Sequence, residues 1–297
     1  MVRVKSRREF VLLLPLMGCQ KSGVRRVAVI PKATAHLFFV SVHEGVEKAA
    51  REFGIEVLWN GPSDETDSSR QIQIVDSMIA QKVDGIAISA TDERALVAPL
   101  VRARKAGIPV VIFDSAVGME DYSSFISTDN FGAGCLAART LGGLIAGKGD
   151  VAMIGQKPGG ASTGLREKGF EETMAKEFAG VRIVARQFSM GDRAKARAVA
   201  ENILTAHDGL AGIFASSEAS SIGAIQALRS RKRKLKLVTF DDSEMHREAL
   251  RDGIIDVMLV QDPVRLGYEA VKALAEVLKG RSVLRRLDLP VQVVRIP

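Results

Sequence analysis

Residues 26–59 read RVAVIPKATAHLFFVSVHEGVEKAAREFGIEVLW. Arg26–Ile30 is a short run, apolar after its first residue, as in a strand covered on both faces. Phe39, Val42, Val46, Ala49 and Phe53 then recur at three- and four-residue steps, which puts them on one stripe of a helix. Gly54 follows, where a helix ends most easily in left-handed backbone. Ile55–Trp59 is a second strand candidate. Strand, helix and strand in this order form a βαβ unit, which implies a parallel sheet.

The alternation continues to the end of the chain. Further strands are predicted at Gly85–Ser89, Val110–Phe113, Phe125–Ser127, Val151–Ile154, Ile183–Ala185, Ala211–Phe214, Lys236–Phe240, Ile255–Val260 and Val291–Arg295. A second clear helix carries Gly267, Val271, Leu274 and Leu278 on one stripe. Asp262-Pro263 supplies its N-cap and first-turn proline. Gly107 and Gly280 stand just past helix ends. About eleven strands are more than one doubly wound domain of this size holds, so the α/β chain divides into two lobes, with a break near Thr128-Asp129-Asn130.

Composition agrees with such a core. The chain has 297 residues, 46% hydrophobic and 26% charged, and only 5% are aromatic, which favours Val/Ile/Leu/Ala packing over an aromatic-rich β sandwich. Of the net charge of +7, residues 1–18 contribute +3, leaving +4. The densest basic run, Arg229 to Lys234, reads as a solvated helix end, since no aromatics are interleaved with it and no nucleic-acid partner is implied.

The N-terminus reads as an export signal. Arg3, Lys5, Arg7 and Arg8 precede an apolar run from Phe10 to Met17, too short to span a bilayer. Leu16-Met17-Gly18-Cys19 resembles a bacterial lipobox. It predicts a signal peptide over 1–18, lipidation at Cys19, a polar tether over 19–24 and attachment to a membrane. Ser6-Arg7-Arg8-Glu9-Phe10-Val11 resembles a twin-arginine signal. The other cysteine, Cys135, is expected to be a small buried residue.

Chemistry in open α/β sheets sits beyond the carboxyl ends of the strands. Those ends carry Lys32–His36, Asp114-Ser115, Ser216-Ser217-Glu218, Asp241-Asp242 and Gln261-Asp262. They are mostly carboxylates, amides and hydroxyls, which suit the hydroxyls of a neutral polar solute. No glycine-rich turn follows the first strand, which argues against a dinucleotide enzyme. Gly142…Gly147-Lys148 has phosphate-loop spacing but lacks the Ser or Thr and closes a helix. Gly160-Ala161-Ser162-Thr163-Gly164 matches a serine-hydrolase elbow, yet Lys157-Pro158-Gly159 separates it from its strand. Ser162 is therefore expected to cap or start a helix. His36, His43, His207 and His246 are scattered, so no metal is expected, and no cofactor is implied.

Taken together, several segments carry a family resemblance: Phe38-Phe39-Val40-Ser41 with Gly45, Gly107-Ile108-Pro109-Val110, Thr128-Asp129-Asn130, Arg166-Glu167-Lys168-Gly169-Phe170, Asn202 to His207, Thr239-Phe240-Asp241 and Gln261-Asp262-Pro263. Over roughly residues 25–297 the chain resembles the periplasmic sugar-binding proteins of the ribose type, the substrate-binding subunits of bacterial ABC transporters. The resemblance implies the type I periplasmic binding protein fold: two Rossmann-like lobes with parallel sheets flanked by helices, joined by three crossings near Thr128, Gln261 and Pro290. The lobes would be 25–128 plus 262–289 and 129–261 plus 290–297.

The resemblance also implies roles. Phe38 and Phe39 would lie against the apolar face of a sugar ring, while Asp114, Arg166, Asp241 and Gln261 would bind its hydroxyls. Four positions depart from the ribose pattern. His36 and Ser217 replace amides, Ser115 replaces an arginine, and Gly191 replaces an aromatic whose place Phe188 or Met190 could take. His36, Ser115 and Ser217 stay in the expected ligand set, and the departures open it to another pentose or hexose, a polyol or a similar solute. The partners implied are that solute, an ABC permease with its ATPase and the membrane, with the binding protein itself a monomer and not an enzyme. A sensing subunit reporting to a receptor is the alternative reading, and a hydrolase using Ser162 the remote one.

Overall fold

The computed structural model describes residues 23–296. The signal, the twin-arginine pair, Cys19 and most of the tether lie outside the described residues, as does Pro297. The strands are β1 (Arg25–Ile30), β2 (Ile55–Trp59), β3 (Gly85–Ile88), β4 (Val110–Phe113), β5 (Ser124–Thr128), β6 (Lys148–Gly155), β7 (Gly180–Phe188), β8 (Leu210–Ala215), β9 (Lys236–Phe240), β10 (Val257–Val260), β11 (Arg286–Leu289) and β12 (Gln292–Val294). The helices are α1 (Leu37–Phe53), α2 (Ser68–Ala80), α3 (Val97–Lys105), α4 (Asn130–Leu144), α5 (Ala161–Glu177), α6 (Arg193–Ala206), α7 (Glu218–Arg231), α8 (Glu244–Arg251) and α9 (Pro263–Leu278).

Two six-stranded sheets result, ordered β11-β5-β4-β3-β1-β2 and β12-β10-β9-β8-β6-β7. The orders match strand for strand, so β4 of the first lobe corresponds to β9 of the second. All pairings are parallel except β10 with β12, which run antiparallel. The chain leaves the first sheet after Thr128, returns between Val260 and Pro263, and crosses again between Leu289 and Gln292.

The strands the sequence predicts are all present, some longer. β11 was not predicted, because Arg286-Leu287-Asp288-Leu289 alternates charge with apolar residues. It is an edge strand with only Leu289 fully buried, and a search for continuously apolar runs passes over it.

The apolar stripe of α1 buries Phe39, Val42, Val46 and Ala49 as its spacing demands. Gly54 ends the helix at φ 66°. Asp262 caps α9 through the Arg265 amide, with Pro263 in the first turn. Helices α4 and α5 cross closely: a Cβ at Gly134 would lie 1.9 Å from the Arg166 carbonyl oxygen, and one at Gly169 2.2 Å from that of Phe131. Any larger side chain at either position would push α5, and Arg166 with it, off the sheet.

One expectation needs adjusting. Cys135 is half-buried on α4 rather than enclosed. The basic run forms the end of α7 and the turn after it, where Arg229 pairs with Asp252 and Arg233 donates to the carbonyls of Leu204 and His207.

Candidate functional site

Between the lobes lies a small cavity of about 40 Å³, lined by Lys32, His36, Phe38, Phe39, Glu65, Asp114, Gln156, Ser162, Thr163, Arg166, Ser217, Glu218, Ala219, Asp241 and Gln261. The structure thus brings together, from beyond five strand ends and from helix α5, eight of the nine ligand residues expected from sequence.

Asp114 and Asp241 occupy equivalent places, just past β4 and β9. Both have left-handed backbone, φ 57° and 70°, which turns the chain sharply at the strand end and sets the carboxylate at the cleft. Asp114 accepts from Ser89 Oγ at 2.7 Å and pairs with Lys32 Nζ at 3.0 Å. Asp241 accepts from Gln261 Nε2 at 2.7 Å and from the Glu218 amide at 3.1 Å. Gln261 in turn accepts from Thr128 Oγ1 at 2.8 Å, joining two of the crossings. Burial pushes the Asp241 carboxyl up to about 6, against the pull of Arg166 and the Gln261 hydrogen bond.

Arg166 rises from α5 and is only 2% exposed. Its guanidinium stacks on the Phe240 ring, 3.7 Å from the centroid. Nη2 donates to Asn130 Oδ1 at 2.7 Å and Nη1 to the Ser216 carbonyl, while the buried Nε–H has no acceptor among the described residues. Burial draws its pKa down, opposed by Asp241 and Asp114. Glu167 supports the same wall, accepting from the Gln156 amide at 3.0 Å and from Ser216 Oγ at 2.8 Å.

Phe38 is the half-buried ring at the cavity, and Phe39, 1% exposed, backs it edge-on with centroids 5.2 Å apart. Ser217 lines the cavity and also caps α7. Neither Phe188 nor Met190 lines the cavity, so neither takes the aromatic's place at Gly191. A Cβ at Gly191 would instead lie 3.7 Å from both His36 Cε1 and Gln156 Nε2.

Ser115 departs from expectation. It is buried but not on the cavity wall, because its hydroxyl is taken by Lys32 Nζ at 3.1 Å and Ser162 Oγ at 3.0 Å. Sequence reasoning also passed over Glu65, Gln156 and Thr163, and it named Lys32 and Glu218 at strand ends without giving them a role. Lys32 was legible as a charge at the end of an apolar strand. Glu65 sits in the long loop between β2 and α2, where nothing local marks it.

Ser162 starts α5 as expected. Its partners are Ser115 and Lys32 Nζ at 3.4 Å, a chain that resembles a serine–serine–lysine relay. Such a relay needs a neutral lysine to take the proton. Burial opposes the Lys32 charge, but Asp114 and Glu65 outweigh it and hold the ammonium above its ordinary range. In that charged state Lys32 is not a proton acceptor for Ser162. Among the described residues no group of three or more His, Cys, Asp or Glu is placed to hold a metal.

Residues 27–282 match the model of the periplasmic binding protein domain. The ribose import binding protein of Bacillus subtilis is 28% identical over 255 residues, covering 86% of this chain and 82% of that protein. The carbohydrate transporter solute binding protein of Agrobacterium radiobacter, solved with D-arabinose, is 31% identical with a TM-score of 0.89, covering 92% of this chain and 95% of that one. An ABC transporter solute binding protein of Burkholderia graminis, also solved with D-arabinose, is 34% identical with a TM-score of 0.87, covering 91% and 95%.

Proposed function

The chain belongs to the periplasmic binding protein family, and from that premise we propose that it captures a monosaccharide or similar polyhydroxylated solute between its lobes for an ABC transporter. One observation carries the reading. Asp114 and Asp241 face a single cavity from opposite lobes, beside Phe38 and a buried Arg166 Nε–H that lacks an acceptor among the described residues. Carboxylates accept from sugar hydroxyls, Arg166 donates to a sugar oxygen, and Phe38 covers the apolar face of the ring. His36, Ser217 and Gln261 complete the contacts.

The three crossings act as the hinge, with 25–128 plus 262–289 moving against 129–261 plus 290–297. Turning a mostly open population into a mostly closed one takes about 5.5 kcal/mol of differential binding. Hydrogen bonds from both lobes supply it, because in the open form the second lobe's groups face water. The closed form then docks on a permease.

Calorimetry against a panel holding D-arabinose, D-ribose, hexoses and polyols tests this. Binding of at least one member, with a raised melting temperature, is the expected result. Silence across the panel would remove the sugar reading. Affinity also carries a pH signature. A carboxyl held up at about 6 binds its proton more tightly than the unfolded chain, so its contribution to stability is lost as pH rises through 6. A sugar hydroxyl donating to the ionised form reverses that preference, so binding releases a proton. Affinity should fall about tenfold from pH 7 to pH 5. A flat profile would show that Asp241 does not accept from the ligand.

The export signal and Cys19 complete the proposal: the mature protein is held at a bacterial membrane by a lipid on Cys19. A Cys19→Ser protein is expected in the soluble rather than the membrane fraction after cell lysis, and unchanged membrane association would refute the anchor.

A further inference from the structure

Glu65 is 6% exposed and sits where both lobes meet the cavity. Oε1 bonds His36 Nδ1 at 3.1 Å, and Oε2 accepts from Gln156 Nε2 and lies 3.8 Å from Lys32 Nζ. Its main-chain carbonyl accepts from Lys157 Nζ at 3.3 Å, and the same ammonium donates to the Thr91 carbonyl. Lys32, His36 and Thr91 belong to the first lobe, Gln156 and Lys157 to the second. Gln156 is itself fixed to the second lobe, through the Glu167 carboxylate and through its own carbonyl, which accepts from the Met190 amide at 2.6 Å.

The geometry points to Glu65 as a positioning residue that sets both selectivity and closure: one oxygen orients His36 toward the ligand, and the other, with the neighbouring carbonyl, ties down the second lobe. This rests on the sugar-binding reading and deepens it. Bonding Nδ1 to a carboxylate fixes which ring nitrogen remains for the cavity. His36 thereby supplies a flat polar wall beside Gly191, from the lobe that also provides Phe38. The Glu65 hydrogen bond is the largest influence raising the His36 pKa, with Glu218 adding to it while burial and Lys32 oppose it. Burial works against ionisation of Glu65, yet Lys32, His36 and Lys157 bring it down to about 2, so the carboxylate is charged whenever the latch is closed. The Lys157 link differs in kind. Lys157 is not on the cavity wall and its hydrogen bonds here go to main-chain oxygens, so it acts chiefly on closure, with a weaker field on the Glu65 carboxylate.

Two variants separate the roles. Lys157→Met should weaken every bound sugar by the same factor, roughly three- to tenfold, since a smaller closed fraction divides all affinities alike. Small-angle scattering of the free protein should show a larger open fraction. Glu65→Gln should also change the ratios between sugars by at least about threefold, and lower the His36 pKa, followed by NMR, by about one unit or more. If Glu65→Gln does not fold, Glu65→Asp carries the same readouts with smaller shifts. Equal His36 titration and unchanged sugar ratios in the Glu65 variant would overturn the proposal. So would a Lys157 variant that alters ratios, or one that leaves both affinity and the open fraction as they were. Wild-type protein that binds no sugar would end the functional reading alone, because the His36 titration and the open fraction are measured without ligand.

Discussion

Asp241→Ala should weaken sugar binding by roughly 30- to 4,000-fold. The estimate follows from removing one partner of a buried, charge-assisted network, about 2–5 kcal/mol. The substitution removes the ligand's acceptor on the second lobe, and it strands the Gln261 amide and the Glu218 N–H that the carboxylate now receives. Gln261 also accepts from Thr128 at a crossing, so closure suffers with contact. Folding should survive, because a carboxyl pushed up to about 6 is not favourably buried in its ionised form. Calorimetry with the best panel sugar, beside a melting curve, checks both halves. Affinity within fivefold of wild type would take Asp241 out of the site.

Arg166→Met should do the reverse and cost stability first. The arginine is the cation that most favours ionised Asp241, and Asp241 and Asp114 in turn support its own charge. Its removal leaves the buried Asp241 carboxylate without its cation and two acceptors, Ser216 O and Asn130 Oδ1, without donors. Breaking such a buried arrangement costs about 3–5 kcal/mol. At about 2–4 °C per kcal/mol for a protein of this size, melting should fall by roughly 6–20 °C. Sugar binding should be lost as well. Arg166→Lys keeps the charge but not the fork, so it should recover more stability than affinity. A melting point within about 3 °C of wild type for the methionine variant would mean that Asp241 needs no cation.

The strand ends were legible because apolar runs buried on both faces announce themselves, and the residue after each run must turn. Asp114, Asp241 and Gln261 were found that way, and the resemblance supplied Arg166, which sits within a helix. Ser115 was misplaced onto the cavity wall because its neighbours in space, Lys32 and Ser162, stand 83 and 47 residues away. The aromatic missing at Gly191 could be noticed in sequence, but not that His36 stands beside the gap.

Hydrophobic period and turn chemistry act over a few residues, so the sequence alone determined the alternating elements, the two-sheet count and the polar strand ends. Which charges meet across the cleft depends on how two sheets built from distant segments face each other. Only the tertiary structure could therefore place Glu65 against Gln156, or show Lys32 clamped between Asp114 and Glu65. A charge's role is set by its neighbours within a few ångströms, whatever their separation along the chain.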